Sequence, residues 1–298
     1  MIESKGTVQI LMSTYNGEHY IEEQIDSLLG QTYPEIEIII RDDGSGDNTR
    51  QILRRYASEH NNIRVIEGDN LGVTESFFEL LRASDADFVA FCDQDDIWLE
   101  NKIEAAVDKI GNGSKPVMYC SNTILVDAEG KLIAPNDFSY KEPSFENAVV
   151  ENICTGCTIV MNRPLADNIR THLPKQAIMH DRWFYLVATY VGEVIYDRES
   201  YIHYRQHGNN EVGASKNPFK VMKGQMKHLK KNKSAIRRQL TEFASLYHSD
   251  ETKDEIVKQI TETPGFHQRV AALFHCRFKR QRGLDQIITE LLFLFHRL

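Results

Sequence analysis

The sequence contains no apolar run that approaches the ~18 residues of a membrane-spanning helix. Its longest apolar run near the end, residues 291–295, is far too short for this purpose. Residues 1–7 are polar and do not show the charged and apolar regions of a signal peptide. These absences predict a cytoplasmic protein.

Cysteine is scarce, with only five residues in the chain. An odd, sparse set without a signal peptide is typical of reduced thiols and not of a disulfide framework. Cys154 and Cys157 form a C-x-x-C pair, but a zinc site of this kind needs a second pair at suitable spacing, which the sequence lacks. The missing second pair favours small buried strand residues over metal or redox chemistry.

Positive charge is scarce in the first part of the chain. Before residue 216 acidic residues outnumber basic ones by 35 to 18, whereas from residue 216 onward basic residues outnumber acidic ones by 17 to 8. An acidic body does not attract nucleic acid, which excludes that class of partner. The basic region could meet an anionic membrane surface or an anionic glycolipid.

Apolar residues make up 41% of the 298 residues, which is enough for a large α/β domain with or without an appendage. Apolar runs at residues 8–12, 36–40, 63–66 and 88–92 predict four buried strands, and segments of helical periodicity separate them. This alternation predicts a parallel sheet with helices on both faces. Ligands of such sheets bind outside the carboxyl ends of the strands.

Beyond residue 115 the alternation is looser. A hairpin turn is predicted at residues 128–130, and a mostly helical region is predicted from residue 218. Strands are predicted at residues 117–121, 124–126, 157–161, 194–196 and 201–204, and a helix at residues 183–191.

Polar clusters follow the first, second and fourth predicted strands, so they should gather along one edge of the sheet. The cluster at residues 93–96 (DQDD) carries three carboxylates that repel one another unless a cation or solvent compensates. Mg²⁺ takes one or two carboxylates together with phosphate oxygens. The alternative is a solvated acidic turn, but its place after a buried strand favours a metal site.

The second cluster, at residues 42–45 (DDGS), has a glycine that permits a tight turn. One of its aspartates can accept a hydrogen bond from a base imide or a ribose hydroxyl. We assign this role to Asp43 and leave Asp42 to the turn. The alternative is an ordinary turn in which Asp47 caps the next helix.

Five motifs stand at residues 13–17 (STYNG), 31–33 (QTY), 42–45 (DDGS), 70–72 (NLG) and 93–96 (DQDD). In order and spacing, they resemble the nucleotide-sugar-binding half of glycosyltransferase family 2, which has the GT-A fold. The resemblance is strong over residues 8–107 and implies an α/β protein with a mostly parallel central sheet flanked by helices. It implies a catalytic domain at residues 1–215, divided at residue 115 into donor and acceptor halves, and a basic helical C-terminal extension at residues 216–298.

The resemblance implies a donor site and a divalent cation, Mg²⁺ or Mn²⁺. Asp95 would be the main metal ligand, Asp93 would lie near the ribose or the metal, and a late histidine, His207, would complete the metal site. His207 could also be structural, and His203 is its less favoured rival. The implied nucleotide-sugar-binding residues are Ser13, Tyr15, Asp43, Asn70, Asp93, Trp98, Lys102 and Arg205.

The acceptor half carries a second implied set. His180 stands where the family usually has the first of two acids, and Asp181 would be the general base that takes the acceptor's proton. The alternative is that Asp181 only caps the following helix, which is common. Gly156 would allow close backbone approach beneath the acceptor, and Trp183 would border it.

These expectations describe an inverting glycosyltransferase that joins a sugar from a nucleotide-sugar donor to a glycan or lipid-linked saccharide. The motifs look most like those of bacterial rhamnosyltransferases of cell-wall and capsule synthesis, which implies dTDP-β-L-rhamnose as donor. UDP-hexose and UDP-N-acetylhexosamine are the rival donors. A nucleotidyltransferase would carry a basic phosphate loop, but residues 13–17 contain no Lys or Arg. A non-catalytic nucleotide-sugar-binding module is the third class.

The lysine-rich segment at residues 220–233 has two interpretations. Its lysines recur at roughly helical intervals with apolar residues between them, as in a helix that lies on a membrane surface. A solvated helix that packs on the enzyme fits the same pattern. Peripheral association with the inner face of the cell membrane is therefore one of two open expectations.

Overall fold

The structure is a computed structural model that describes residues 5–135, 141–206, 234–263, 265–275 and 277–298. The described residues form two compact units. The first contains residues 5–135, 154–173 and 179–206, and the second contains residues 141–153, 174–178 and the described residues from 234 onward. The predicted domain boundary at residue 215 and the lysine-rich segment at 220–233 lie outside the described residues.

The first unit is built on a nine-stranded sheet with the order β3-β2-β1-β4-β8-β6-β9-β5, and β7 pairs with β6. Its first four strands are parallel to one another and confirm the predicted strands. β4 is buried along its whole length because β1 and β8 flank it. These strands are β1 (Val8–Thr14), β2 (Ile36–Asp42), β3 (Ile63–Glu67) and β4 (Phe88–Cys92).

The remaining strands mix directions. β8 is antiparallel to β4 and β6, β9 is parallel to β6, and the short β5 is antiparallel to β9. β7 closes a hairpin with β6 across the predicted turn at residues 128–130. These strands are β5 (Ile97–Trp98), β6 (Val117–Val126), β7 (Leu132–Pro135), β8 (Val160–Asn162) and β9 (Glu193–Arg205).

Helices of the first unit connect the strands and pack on the sheet by amphipathic faces. In the first of them, Ile21, Gln24, Ile25 and Leu28 share one buried face. The bounds are α1 (Ile21–Leu29), α2 (Thr49–Glu59), α3 (Val73–Arg82), α4 (Lys102–Ile110), α6 (Arg163–Thr171) and α7 (His180–Val191), and α5 (Phe145–Ala148) belongs to the second unit.

The second unit is helical in its described part. α5 packs against α8 (Ala235–Leu246) through Phe145 and Phe243, whose ring centroids are 6.1 Å apart. Within the described residues of the chain, no helix combines the length and the apolar character needed to cross a bilayer. The later helices are α8 (Ala235–Leu246), α9 (Glu251–Thr261), α10 (Phe266–Leu273) and α11 (Gly283–Leu294).

Several predicted element boundaries were wrong. The predicted strand at residues 157–161 is a 3₁₀ turn at Gly156–Thr158 followed by β8, because the turn contains a glycine that packs tightly on α7. The two predicted strands at residues 194–196 and 201–204 are one strand, since β9 pairs continuously with β6 through register shifts. The helix predicted from residue 183 begins at His180.

Candidate active site

The loops after β1, β2 and β4 lie side by side at the carboxyl edge of the sheet, as predicted. The register places Thr14 opposite Asp42 and Met12 opposite Cys92. Side chains then join the loops. The Tyr15 backbone N–H donates to Gln94 Oε1 at 2.8 Å, and Gln94 Nε2 donates back to the Tyr15 carbonyl at 3.2 Å.

A second pair of bonds joins the loops after β1 and β2. The Asn16 N–H donates to Ser45 Oγ at 2.9 Å, and the Gly46 N–H donates to Asn16 Oδ1 at 2.8 Å. Asn16 has a φ of 51°, a left-handed conformation that asparagine tolerates better than most residues. Three separate segments of the chain therefore form one connected rim.

Asp43 is buried and shapes this rim. Its two carboxylate oxygens accept the backbone N–H groups of Leu71 and Gly72, each at 2.8 Å, and the carboxylate also pairs with Arg41. Asp43 thereby fixes the loop that precedes α3. The contact of Asp43 with the base or ribose stays a prediction. In the structure its carboxylate already has three protein partners.

Asp42 serves the turn, as expected. Its Oδ1 accepts the N–H groups of Gly44 and Ser45 at 3.2 and 3.0 Å and pairs with Arg50 Nε at 2.7 Å. Burial by itself would raise the pKa of Asp42, but the bonds from Ser45 and Arg50 outweigh it and hold the pKa below its ordinary value. The carboxylate therefore stays ionised.

Around this rim the other predicted donor residues differ in exposure. The Tyr15 ring is 49% exposed, and Asn70 is exposed on the neighbouring loop. Ser13 is the next-to-last residue of β1, and its hydroxyl donates to Ser76 Oγ at 2.7 Å. The accessible groups at this edge are thus an aromatic ring and an amide, both suited to a planar polar ligand.

The acidic loop after β4 presents carboxylates at two depths. Asp93 and Asp95 are partly exposed, whereas Asp96 is only 1% exposed. Asp96 Oδ1 accepts the Arg205 N–H at 3.1 Å, and Asp96 Oδ2 has no hydrogen-bond partner among the described residues. Burial, followed by the charges of Asp95 and Asp93, raises the pKa of Asp96 well above its ordinary value.

A potential ligand group in this loop consists of Asp93, Asp96 and Cys157, whose ligand atoms lie within 4.8 Å of one another. Burial raises the pKa of the Cys157 thiol well above its ordinary value, and nearby Asp96 and Asp93 raise it further. A neutral thiol is a poor ligand for a hard cation. The predicted pair Asp93 and Asp95 is partly exposed, and its binding of Mg²⁺ or Mn²⁺ together with phosphate oxygens stays a prediction.

Trp98 and Lys102 lie beneath this loop and not at its open face. Both side chains are buried, and Lys102 Nζ is 3.3 Å from the centroid of the Trp98 ring. Burial lowers the pKa of Lys102 to about 8. The sequence predicted that these residues border the donor site. The structure instead places both side chains inside the protein.

Arg205 is also placed inside, at the end of β9. Its guanidinium donates to the Asp95 carbonyl at 2.8 Å, to the Ala128 carbonyl at 2.7 Å and to Glu23 Oε2 at 2.6 Å. These bonds tie the acidic loop to α1 and to the β6–β7 turn. A diphosphate contact would have to compete with all three. His207 lies outside the described residues.

Asp181 lies in the first turn of α7 and is partly buried. The N-cap of that helix is Met179, so Asp181 is not the N-cap residue, but its carboxylate still accepts a first-turn N–H group of the helix. Asp181 Oδ1 accepts the Arg182 N–H at 2.6 Å. The carboxylate lies near the positive end of the helix dipole, and its role as general base stays a prediction.

His180 is enclosed next to Asp181. Its ring centroid is 4.1 Å from that of Phe77, and neither ring nitrogen has a hydrogen-bond partner among the described residues. Burial lowers the pKa of His180 to about 3, so the ring is neutral. A Cβ at Gly156 would lie 3.0 Å from His180 Nε2 and 3.6 Å from the Asp181 Cβ.

Comparison with known proteins gives the family. The family described as Glycosyl transferase family 2 matches residues 9–170, more than half of the chain. The chain belongs to glycosyltransferase family 2. It is therefore a glycosyltransferase, and the resemblance drawn from the motifs is confirmed.

Two curated relatives of this family 2 enzyme are bacterial. The dTDP-rhamnosyl transferase RfbG of Shigella flexneri is 32% identical over 68% of this chain and 74% of its own length. The UDP-Glc:alpha-D-GlcNAc-diphosphoundecaprenol beta-1,3-glucosyltransferase WfgD of Escherichia coli is 32% identical over 53% of this chain. The match spans 61% of the length of WfgD.

Solved structures confirm the GT-A fold. The S. aureus TarS structure in complex with UDP-GlcNAc has a TM-score of 0.59 at 19% identity and covers 87% of this chain and 75% of its own. The mannosyltransferase PcManGT from Pyrobaculum calidifontis, in complex with GDP-Man and Mn²⁺, has a TM-score of 0.54 at 17% identity, covering 83% of this chain and 66% of its own. At these identities the likeness shows the fold alone.

Several residues of the family 2 site were missed by sequence reasoning. Gln94 joins the loops after β1 and β4, Arg41 holds Asp43, and Cys157 approaches Asp96. Only Gln94 had a local signal, since it stands inside the acidic motif. Trp183, predicted to border the acceptor, is fully buried in the core between α7 and the sheet.

Proposed function

We propose that this family 2 enzyme is an inverting, metal-dependent glycosyltransferase of bacterial polysaccharide synthesis. The observation that carries the proposal is the rim formed by three loops, with Asp93 and Asp95 partly exposed where β4 ends. Two accessible carboxylates beside an exposed aromatic ring suit a divalent cation, a diphosphate and a nucleoside base held together.

Each residue at the rim has a proposed task. Asp93 and Asp95 hold Mg²⁺ or Mn²⁺, with His207 as a further proposed ligand, and the cation would neutralise charge on the departing nucleoside diphosphate. Tyr15 stacks on the base, while Ser13, Asp43 and Asn70 form the wall of the donor pocket. Trp98, Lys102 and Arg205 support the acidic loop from behind.

The acceptor side rests on Asp181. Its carboxylate takes the proton of the acceptor hydroxyl while that oxygen attacks the face of the sugar opposite the leaving group, which inverts the anomeric configuration. The hydroxyl becomes acidic only as its bond to the anomeric carbon forms, so the base needs position more than strength. Gly156 permits the close packing that holds Asp181 in place.

The proposed donor is dTDP-β-L-rhamnose. The motif resemblance and the similarity to the dTDP-rhamnosyl transferase RfbG support it. UDP-hexose and UDP-N-acetylhexosamine are the rival donors, and the name of WfgD, a relative of equal identity, supports a glucosyl donor. The proposed acceptor is a glycan or a lipid-linked saccharide, and a lipid-linked acceptor would place the enzyme at the inner face of the cell membrane.

A donor panel tests the proposal. The enzyme is mixed with dTDP-rhamnose, UDP-glucose, UDP-N-acetylglucosamine or GDP-mannose, with Mn²⁺ or Mg²⁺ and then with EDTA, and release of the nucleoside diphosphate is measured. We expect release with one donor class, loss of that release in EDTA, and its return when metal is added back. Metal-independent turnover would contradict the cation's role.

The same assay separates the competing classes. A nucleotidyltransferase would release pyrophosphate from a nucleoside triphosphate, and a non-catalytic module would bind donor without releasing diphosphate, even with an acceptor present. The absence of Lys and Arg from residues 13–17 argues against the former, and Asp181 in the first turn of α7 argues against the latter.

A further inference from the structure

One side of α11 in the second unit is a continuous apolar surface open to solvent. Leu284, Ile287, Leu291 and Phe295 follow one another at intervals of three and four residues, which places them on one side of the helix. Their exposed fractions are 71%, 55%, 48% and 64%. These four residues are the α11 apolar face, and no charged residue interrupts them.

The opposite side of α11 holds the helix to the unit. Thr289 and Phe293 are buried, and the Phe293 ring packs against Phe278 with centroids 5.4 Å apart. Gln286 Nε2 donates to the Phe278 carbonyl at 3.3 Å. Because this inner side is already packed, the α11 apolar face is not needed for folding, and its exposure has a cost that a partner would remove.

Exposed basic residues flank the α11 apolar face in the chain. Residues 265–298 contain six Lys or Arg and two Asp or Glu, and two of the basic residues, Arg277 and Arg280, pair with Glu255 and Glu151. Lys279 is exposed in the chain before the helix, and Arg297 is exposed just after Phe295. On the neighbouring α10 side, Phe274 is 82% exposed, the highest value among the exposed large apolar residues of the described chain.

We propose that the α11 apolar face rests on an anionic phospholipid surface. Apolar side chains would enter the boundary between headgroups and acyl chains, and the flanking cations would meet the lipid phosphates. The inference goes beyond the transfer reaction, because it concerns neither the donor nor the cation and rests only on the second unit.

Charge decides between this occupant and a second copy of the chain. A symmetric dimer would bring the α11 apolar face against itself, together with two copies of the flanking Lys279 and Arg297. Like charges across such an interface oppose association. A negatively charged lipid surface instead offers phosphate groups to the basic residues and an acyl-chain region to the apolar side chains. It therefore suits both the charge and the apolar character of this part of the unit.

Vesicle flotation tests the proposal with the full chain. The enzyme is mixed with phosphatidylcholine vesicles with or without phosphatidylglycerol, and the floated fraction is measured. We expect flotation only with phosphatidylglycerol, and a weakening of about tenfold or more in Ile287→Glu/Leu291→Glu. Because both side chains are exposed, the variant should unfold at the wild-type temperature.

A matched control carries the same change elsewhere. Leu132 and Ile133 are exposed apolar residues on β7 of the first unit, and Leu132→Glu/Ile133→Glu should float like the wild type. Lys279→Ala/Arg297→Ala should lose about fivefold of its affinity for each basic residue removed and should bind less as salt rises.

Three outcomes would overturn the proposal. Equal flotation of the wild type and Ile287→Glu/Leu291→Glu would show that the α11 apolar face does not contact the membrane. Equal flotation with neutral vesicles would remove the role of charge. A dimer seen by light scattering and lost in the same variant would identify a second copy as the occupant. Donor turnover without vesicles should be unchanged in the variant, which keeps this test separate from that of the transferase.

Discussion

Asp181 combines a partly accessible carboxylate with an enclosed histidine immediately before it in the chain. The histidine has no hydrogen-bond partner among the described residues and is neutral, so its ring adds bulk to the site without charge. A group of this kind fixes where the carboxylate sits but does not take up the acceptor's proton at neutral pH. The two neighbours therefore make separate predictions.

Asp181→Asn should lower kcat by about 100-fold or more, because the amide keeps the shape but accepts no proton. Donor affinity should stay near that of the wild type, which is checked by titrating the metal–donor complex. Asp167→Asn is the matched control, since Asp167 is an exposed aspartate of α6 whose partner is Arg170. Transfer by Asp181→Asn at the wild-type rate would remove the general base.

His180 should make stability depend on pH. Its folded pKa of about 3 lies below the ordinary value of 6.5, so between these values the unfolded chain binds a proton that the folded chain does not. Folding is therefore destabilised as pH falls below 6.5, by about 1.4 kcal/mol per pH unit. His180→Leu should show a correspondingly smaller loss of unfolding free energy on acidification, measured by urea denaturation near neutral pH and near pH 5.

The control for this comparison is His267→Leu, which removes an exposed histidine from α10. Its unfolding free energy should follow pH as the wild type does. Identical pH dependence of the wild type and His180→Leu would show that the enclosed ring is protonated as readily in the folded chain as in the unfolded chain.

At the residue scale, the sequence predicted where the acidic loop lies, at the end of β4, but not which residues support it. Asp93 and Asp95 could be assigned because carboxylates at the end of a buried strand have few structural reasons to cluster. Lys102 and Arg205 could not be placed, because burial of a cation depends on partners from distant segments: the Trp98 ring for one, and Glu23 and two carbonyls for the other.

Among the elements, the 3₁₀ turn at Gly156–Thr158 and the start of α7 form one packed contact. Gly156→Ala adds a methyl group 3.0 Å from His180 Nε2, so the ring or the turn must shift by a few tenths of an ångström. We expect kcat to fall by about tenfold through displacement of Asp181, while donor affinity is retained.

Gly113→Ala is the control for this substitution, because a Cβ there meets no atom within 4 Å. Its kcat should match that of the wild type. Transfer kinetics of the two variants, measured together with their unfolding temperatures, separate a shift of Asp181 from general destabilisation. A wild-type kcat in Gly156→Ala would show that the turn does not position the base.

The same elements show where periodicity succeeds and fails. β1 to β4 were predictable because each is a short apolar run between helical segments, and parallel strands buried on both faces have that pattern. β9 was divided in two because Asp197 to Ser200 interrupt its apolar residues, and only pairing with β6 keeps the strand continuous. Gly192 ends α7 against the Pro116 carbonyl, a contact that no local pattern reveals.

For the molecule as a whole, charge separation along the chain was visible in the sequence, but its structural meaning was not. The excess of basic residues after residue 216 predicted a different partner for that region. The lysine-rich segment that suggested a membrane helix lies outside the described residues. The α11 apolar face was not predicted, because α11 is apolar on more than one side. The contact between Phe278 and Phe293, which shows the side that packs inward, is visible only in the structure.

Binding at the rim should stabilise the whole folded chain, since a ligand that binds only the folded state adds its binding free energy to that of folding. Mn²⁺ together with the nucleoside diphosphate of the true donor should raise the unfolding temperature by about 5 °C or more at saturating concentration. Either component alone should do less, because the cation's shell needs phosphate oxygens as well as carboxylates.

Asp95→Asn should abolish most of this combined shift, since it removes half of the carboxylate pair assigned to the cation. Asp108→Asn is the matched control, because Asp108 is an exposed aspartate of α4 whose partner is Lys5. Differential scanning fluorimetry with and without EDTA measures the effect. A full shift in Asp95→Asn, or an equal shift in EDTA, would mean that the diphosphate binds without a metal at the end of β4.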